Sequence, residues 1–371
     1  MNRRPSKSRA DYDDFSQSRT ARFTAASPDT HFFEPKKRRP FALRALKAAL
    51  LVLAAALLGN FAANCFVHVA RVSVPVTGLV EEFDGYTLLH ISDLKGASFG
   101  ADQSLVRMAL SGESFDAVIL TGDMLSARGN AEPLYALISA LRALNPSAPI
   151  YFIAGDDDPA PFSLSYAAGG SAFAPWVLGA KQRGAQLLSH PVAVERGGQQ
   201  LWISTYAHLT LDINTMQGQY ERQYLDALSG GREIETELYA YHLNSLEHTR
   251  AARGQMDADD VFITATHVPP QREDYLAGSL TRQVDLVLSG HYLGGLVRLP
   301  LLGAAFIPSQ SLPRYGLFPG RGAYYGLDSS QRPCLYASPG LGGGDAHYPA
   351  AFFRLFNPPT VTLISLTPSA L

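Results

Sequence analysis

Apolar positions in this chain fall into one long run near the amino end and then into short runs, each closing on a polar residue. The long run covers residues 48–70, roughly 20 residues whose strongly polar members are Asn60, Asn64 and His68, enough to cross a bilayer core as a helix. The short runs cover residues 87–92, 117–121, 150–154, 261–266 and 284–289. Unbroken apolar runs of that length suit strands buried on both faces, as in a parallel sheet. Residues 105–110 and 176–188 are helix candidates, and Leu134, Leu137, Ile138, Leu141 and Leu144 recur at helical spacing before Pro146 stops them. The alternating order of strand and helix predicts βαβ units and a covered sheet.

Further strands are expected over 71–76, set off from 87–92 by the turn Asp84-Gly85, and over 334–338 and 361–366. A hairpin over 192–204, turning at Gly197-Gly198, moves the second half towards a mixed sheet. Residues 207–258 differ in character: they are polar and rich in Gln, Glu and Tyr, with Ile234, Leu238 and Tyr241 at helical spacing. They predict a helical insertion, either a lid over a site or a surface helix pair packed on the body.

Charge changes this picture. Residues 1–47 hold 12 Lys/Arg and 5 Asp/Glu, which leaves 19 and 28 of the chain's 31 and 33 for the rest. The basic, aperiodic 1–47 segment reads as a disordered tail, and the acidic body argues against nucleic acid as partner, since phosphate backbones call for basic surface. Positive residues before 48–70 predict a single-pass signal-anchor with the tail cytoplasmic and the body outside. The absence of a good cleavage site over 60–75 favours an anchor over a removable signal. The segment Lys37-Arg38-Arg39-Pro40-Phe41 also resembles a twin-arginine export signal. Of the two cysteines, Cys65 lies in the apolar run, so a bridge to Cys334 is not expected.

The chemistry lies at the strand ends. The runs close on Asp93, on Asp123, on Asp156-Asp157-Asp158, on His267 and on His291. Open α/β sheets place ligands at the carboxyl ends of their strands. Several carboxylates crowded into one crevice are costly unless a cation neutralises them, and aspartate with histidine suits a divalent Zn, Mn or Fe ion.

In order and spacing, Asp93, Gly122-Asp123, Gly155-Asp156-Asp157-Asp158, His267 and Gly290-His291 resemble the blocks of the calcineurin-like metallophosphoesterases. HISDLK, LTGDM and RLFNPPTVTLISL are similar to its membrane-associated bacterial phosphodiesterase and pyrophosphatase subgroup. Over residues 72–371 the resemblance implies an α/β sandwich of two mixed sheets flanked by helices, with the insertion at about 207–258. It implies metal ligation by Asp93, Asp123, Asp156, His267 and His291. Four positions depart from the family pattern. Lys95 and Leu293 stand where the pattern has metal-binding histidines, Asp156 where it has Asn, and Asp157 where a histidine assists the reaction. Both lost histidines belong to one of the family's two metal cages. The resemblance therefore implies a single ion held by Asp123, Asp156, His267 and His291, with the Lys95 ammonium replacing the other. Lys95 and Asp157 are the candidate catalytic residues, and the expected partner is a phosphorylated small molecule or lipid headgroup at the membrane. Three possibilities stand open: a one-metal phosphoesterase, a silent binding or sensing relative, and a purely structural domain.

Overall fold

The computed structural model describes residues 39–126, 128–164, 170–270, 284–299, 302–307, 324–330, 332–343 and 354–369. From helix α1 (Arg39–Asn64) the chain enters strand β1 (His68–Val76). It then passes through β2 (Thr87–Ile91), α2 (Ser104–Ala109), β3 (Ala117–Thr121), α3 (Glu132–Leu144), β4 (Ile150–Ile153), α4 (Pro175–Gln182) and β5 (Ala185–Leu187). The hairpin β6 (Val192–Arg196) and β7 (Gln199–Thr205) leads into helices α5 (Tyr206–Thr210), α6 (Ile213–Ser229) and α7 (Glu233–Gln255). Beyond them come β8 (Val261–Ala265), β9 (Leu286–Ser289), a small ribbon of β10 (Val297–Leu299) and β11 (Gly303–Phe306), then β12 (Gly326–Asp328), β13 (Cys334–Ala337) and β14 (Thr360–Pro368).

Two mixed sheets form, ordered β1-β14-β2-β3-β4-β5 and β12-β13-β9-β8-β7-β6. Alternation along the strands builds the layers. Leu88, Ala117, Ile119 and Tyr151 face a shared core with Leu201, Ile203, Val261, Ile263 and Leu288 of the other sheet. Leu89, Ile91, Val118, Leu120 and Phe152 face the opposite way, against α2, α3 and α4 through Val106, Leu134, Leu137, Leu141 and Trp176. On the far side, Trp202 and Phe262 pack on Ala252 of α7. The strands are thus buried on both faces, which is why their sequences read as unbroken apolar runs. Each fully buried Leu or Ile stabilises the body by roughly 1.5–3 kcal/mol relative to exposure.

The chain divides into residues 1–57 and 58–371. Helix α1 is apolar over Phe41–Asn64, with mean hydropathy 2.1 in its most apolar window, long enough to cross a membrane. It starts nine residues before position 48 and ends six before position 70. Residues 39–47 include Leu, Ala, Arg and Lys, all good helix formers, and His68–Ala70 pair with Thr360–Thr362 of β14 instead. Residues 1–38 lie outside the described residues. One further difference from the sequence reading is local. The helix expected over 176–188 stops at Gln182, because Gly184 turns the chain at φ +87° and Ala185–Leu187 join β4 as an edge strand. Strands β1 and β2 are not neighbours: β14 lies between them, parallel to β1 and antiparallel to β2. Cys65 and Cys334 are free thiols.

Candidate metal centre

Asp93 and Asp123 follow the ends of β2 and β3, Asp156 follows β4, and His267 and His291 follow β8 and β9. Within each sheet these strands run parallel, so their carboxyl ends lie on one side. Backbone hydrogen bonds lace the loops together. The Asp93 amide donates to the Gly122 carbonyl at 3.0 Å, the Lys95 amide to the Asp123 carbonyl at 2.8 Å, and the Gly290 amide to the His267 carbonyl at 2.9 Å. The glycines are there because the chains approach closely. A Cβ on Gly155 would lie 2.0 Å from Asp123 Oδ1, and one on Gly290 1.7 Å from Ser92 Oγ. Asp93, Lys95, Asp123, His291 and Leu293 all hold φ between 50° and 71°. Left-handed backbone at non-glycine residues costs on the order of 1–3 kcal/mol each and persists where the surroundings over-determine it.

One donor atom from each of Asp123, Asp156, His267 and His291 lies within 4.8 Å of the others. His267 is the best defined. Its Nδ1 is 2.7 Å from the Thr121 carbonyl, which can only accept, so Nδ1 carries the proton and a neutral ring keeps its lone pair on Nε2. Nε2 lies 3.0 Å from Asp123 Oδ2 and 2.8 Å from Asp156 Oδ1, yet it forms no hydrogen bond. A buried ring nitrogen within 3.0 Å of two carboxylates fits a cation placed among them. His291 Nδ1 is 3.2 Å from Asp156 Oδ1. Two oxygens and two imidazole nitrogens are a donor set for Zn, Mn or Fe.

The electrostatics agree. Burial alone would lower the pKa of His267, but Asp123 and Asp156 raise it well above its ordinary value. Burial alone would raise that of Asp123, but His267 and Lys95 lower it to about 2. The contacts of His267 and His291 hold Asp156 far below the usual carboxylate range. The centre thus attracts positive charge, whether a proton or a metal ion.

Lys95 lies beside this cluster. Its Nζ is 2.6 Å from Asp123 Oδ2 and 2.6 Å from Asp157 Oδ2, with 13% of the side chain exposed. Burial pulls its pKa down, but the charges of Asp93 and Asp123 prevail and raise it, so the amine stays an ammonium. Asp93 is fully buried and is not among the four clustered donors. Its Oδ2 accepts from Ser92 Oγ at 2.5 Å and from the His291 amide at 3.1 Å, while Oδ1 has no hydrogen-bond partner. Asp157 is half-exposed, and its amide donates to Asp123 Oδ1 at 3.0 Å. Asp158 instead accepts from the Met124, Leu125 and Gly155 amides and so clamps the loop after β3.

Sequence reasoning did not find Arg354. Its guanidinium is buried and donates only to carbonyls: Asn357 at 2.7 Å, Gly342 and Pro339. Burial lowers its pKa to about 10, against the pull of Asp93. Its signal was present, an arginine within the otherwise apolar RLF of the last motif. Asn357 donates to the carbonyls of Leu293 at 2.7 Å and Gly295 at 2.8 Å. That holds buried Leu293 in the left-handed backbone of a position where the family pattern has a ligand.

The family model for calcineurin-like phosphoesterases matches residues 86–294 of the 371, and the chain belongs to that family. The family uses divalent metal ions, and the one cluster found among the described residues accords with a single ion. Among solved structures, the chain is similar to the phosphopantetheinyl hydrolase PptH from Mycobacterium tuberculosis. Identity is 17% over 56% of this chain and 83% of that one, with a TM-score of 0.31. It is also similar to a Staphylococcus aureus protein assigned as a 5'-nucleotidase, at 10% identity over 59% of this chain and 48% of that one, with a TM-score of 0.27. Neither likeness bears on substrate or mechanism. A comparison with curated proteins finds no match.

Proposed function

We propose that this chain is a one-metal phosphoesterase, in which Asp123, Asp156, His267 and His291 hold a divalent Zn, Mn or Fe ion and Lys95 supplies the second positive charge. The observation that carries this is the convergence of four donors within 4.8 Å of one another, with the Lys95 ammonium 2.6 Å from one of them. A bound ion supplies Lewis-acid polarisation and neutralises the carboxylates.

The chain's own residues do the rest. The Thr121 carbonyl fixes the His267 tautomer, and the Asp157 amide orients Asp123. Two of the three ammonium hydrogens of Lys95 are taken by Asp123 and Asp157, leaving a third to steady a phosphoryl oxygen as negative charge develops. Asp157 acts as a positioning residue, since it accepts from Lys95 Nζ, and no residue is assigned as general acid. Slow turnover follows, fastest for esters whose leaving group needs no protonation. The same ion pairs favour a second reading, a catalytically silent binding or sensing module, because they satisfy the positions that a second ion would occupy. The apolar helix α1 and its basic flank support a reading in which the body lies outside a membrane, within reach of a phosphorylated small molecule or lipid headgroup.

The test is metal analysis of the full chain in detergent, with a phosphodiester assay in Mn, Zn or Fe. The proposal expects near one equivalent of metal and turnover abolished by Asp123→Asn. Bound metal with turnover no better than that variant would leave the silent module, and two equivalents would refute a dismantled cage.

A further inference from the structure

The helical insertion does not pack flush on the body. Between α6 and α7 and the carboxyl ends of β4, β5 and β7 lies a cavity of about 260 Å³. It is half open to solvent and far exceeds what a single water needs. Rings wall it. Tyr220 stacks on His242 at 4.8 Å and 14°, and Phe162 lies 5.0 Å from His242 and 5.3 Å from Tyr241. His208 lines it as well, but its Nδ1 is fully buried and so is not presented to the cavity. Burial lowers the pKa of this imidazole to about 4, so at physiological pH it is neutral and brings no charge to the wall.

The cavity adjoins the metal centre. Ala154 lines it and Asp156 follows two residues later, within about 7.6 Å along the backbone. Thr205 lines it too and pairs with Ala265, two residues before His267. At about 260 Å³ it falls just below the roughly 300–1,000 Å³ of whole small-molecule sites, so it suits part of a ligand. Resting on the phosphoesterase reading above, the geometry points to this cavity as the subsite for the organic group of the ester. That group is a single planar ring, held among Phe162, Tyr220, Tyr241 and His242, while the phosphate lies at the metal centre. Aromatic walls favour such a ring over an alkyl chain, because ring pairs gain from stacked or edge-to-face contact beyond the area they bury.

Saturation-transfer NMR on the full chain in detergent tests this with 4-nitrophenol, a ring without phosphate, on metal-stripped protein. The expectation is saturable binding, weakened about tenfold by His242→Ala and equally by Leu211→Phe, which fills the cavity instead of emptying it. Metal uptake and the circular dichroism melt of both variants should match the parent. In the metal-loaded protein, 4-nitrophenyl phosphate should bind about tenfold tighter than methyl phosphate, and octyl phosphate should gain no such advantage. No saturable ring binding, ring binding unchanged in both variants, or a preference for the octyl ester would each overturn the assignment. Ring binding that both variants abolish, with no ester hydrolysed, upholds the cavity and refutes the hydrolase reading alone.

Discussion

Lys95 and Leu293 stand where the family pattern has two histidines of one cage, and the molecule has adapted to each differently. Lys95 brings a tethered charge to 2.6 Å from Asp123 and Asp157, whereas Leu293 is buried and keeps the left-handed backbone of a ligand position, with φ 52°. A lysine is a point charge without open coordination sites, so it replaces the electrostatics of an ion but not its chemistry. Lys95→Met would leave Asp93, Asp123 and Asp157 uncompensated, at a cost of about 3 kcal/mol. Urea denaturation should register that loss, with partial recovery on adding Mn. The double variant Lys95→His/Leu293→His restores the missing donors and should raise metal content from near one equivalent towards two. Elemental analysis that stays at one would show that the cage cannot be rebuilt from these positions.

At the level of elements, the centre depends on how tightly the strand-end loops pack. Gly155→Ala drives a Cβ to within 2.0 Å of Asp123 Oδ1. It should cost about 1–3 kcal/mol by overpacking and lower metal affinity, whereas the same change at Gly112, where nothing lies within 4 Å, should leave metal affinity intact. Metal titrations of both variants check this. The strand ends were legible because strands buried on both faces leave unbroken apolar runs, and the Asp or His that closes each run stands out. The helices within residues 207–258 were legible from their spacing, as α6 and α7. The break after Gln182 was missed because amphipathic periodicity persists across Arg183-Gly184, and only pairing with β4 decides it. The place of β14 between β1 and β2 joins residues some 290 apart, and no local pattern encodes such a pairing. Arg354 stood out as an arginine in an apolar stretch, but its partners are backbone carbonyls, so no second side chain marked what it holds.

Across the whole molecule, acid should be destabilising. His90 is buried and hydrogen-bonded to Thr121, and burial lowers its pKa to about 3; His208 is lowered to about 4. Both folded values lie below the unfolded value of about 6.5, so the unfolded chain takes up protons first. Stability is therefore full above about pH 6.5 and falls as pH drops towards those values, by up to about 1.4 kcal/mol per pH unit for each histidine. Urea midpoints at pH 7 and pH 4.5 measure this, and His90→Gln should flatten the slope. One more contact bears on every such experiment. Asn60 and Asn64, the polar residues near the end of α1, donate to the Arg354 carbonyl at 3.0 and 2.8 Å, and Asn60 Oδ1 accepts from the Phe356 amide at 2.6 Å. Arg354 in turn grips Gly342, whose amide donates to the Asp93 carbonyl at 2.6 Å. A soluble fragment trimmed past residue 66 would lose this brace beneath the candidate metal centre. Its amides at Leu341 and Gly342 should exchange faster with deuterium than those of the intact chain. Inactivity in such a fragment would then report where it was cut, not what the intact chain can do.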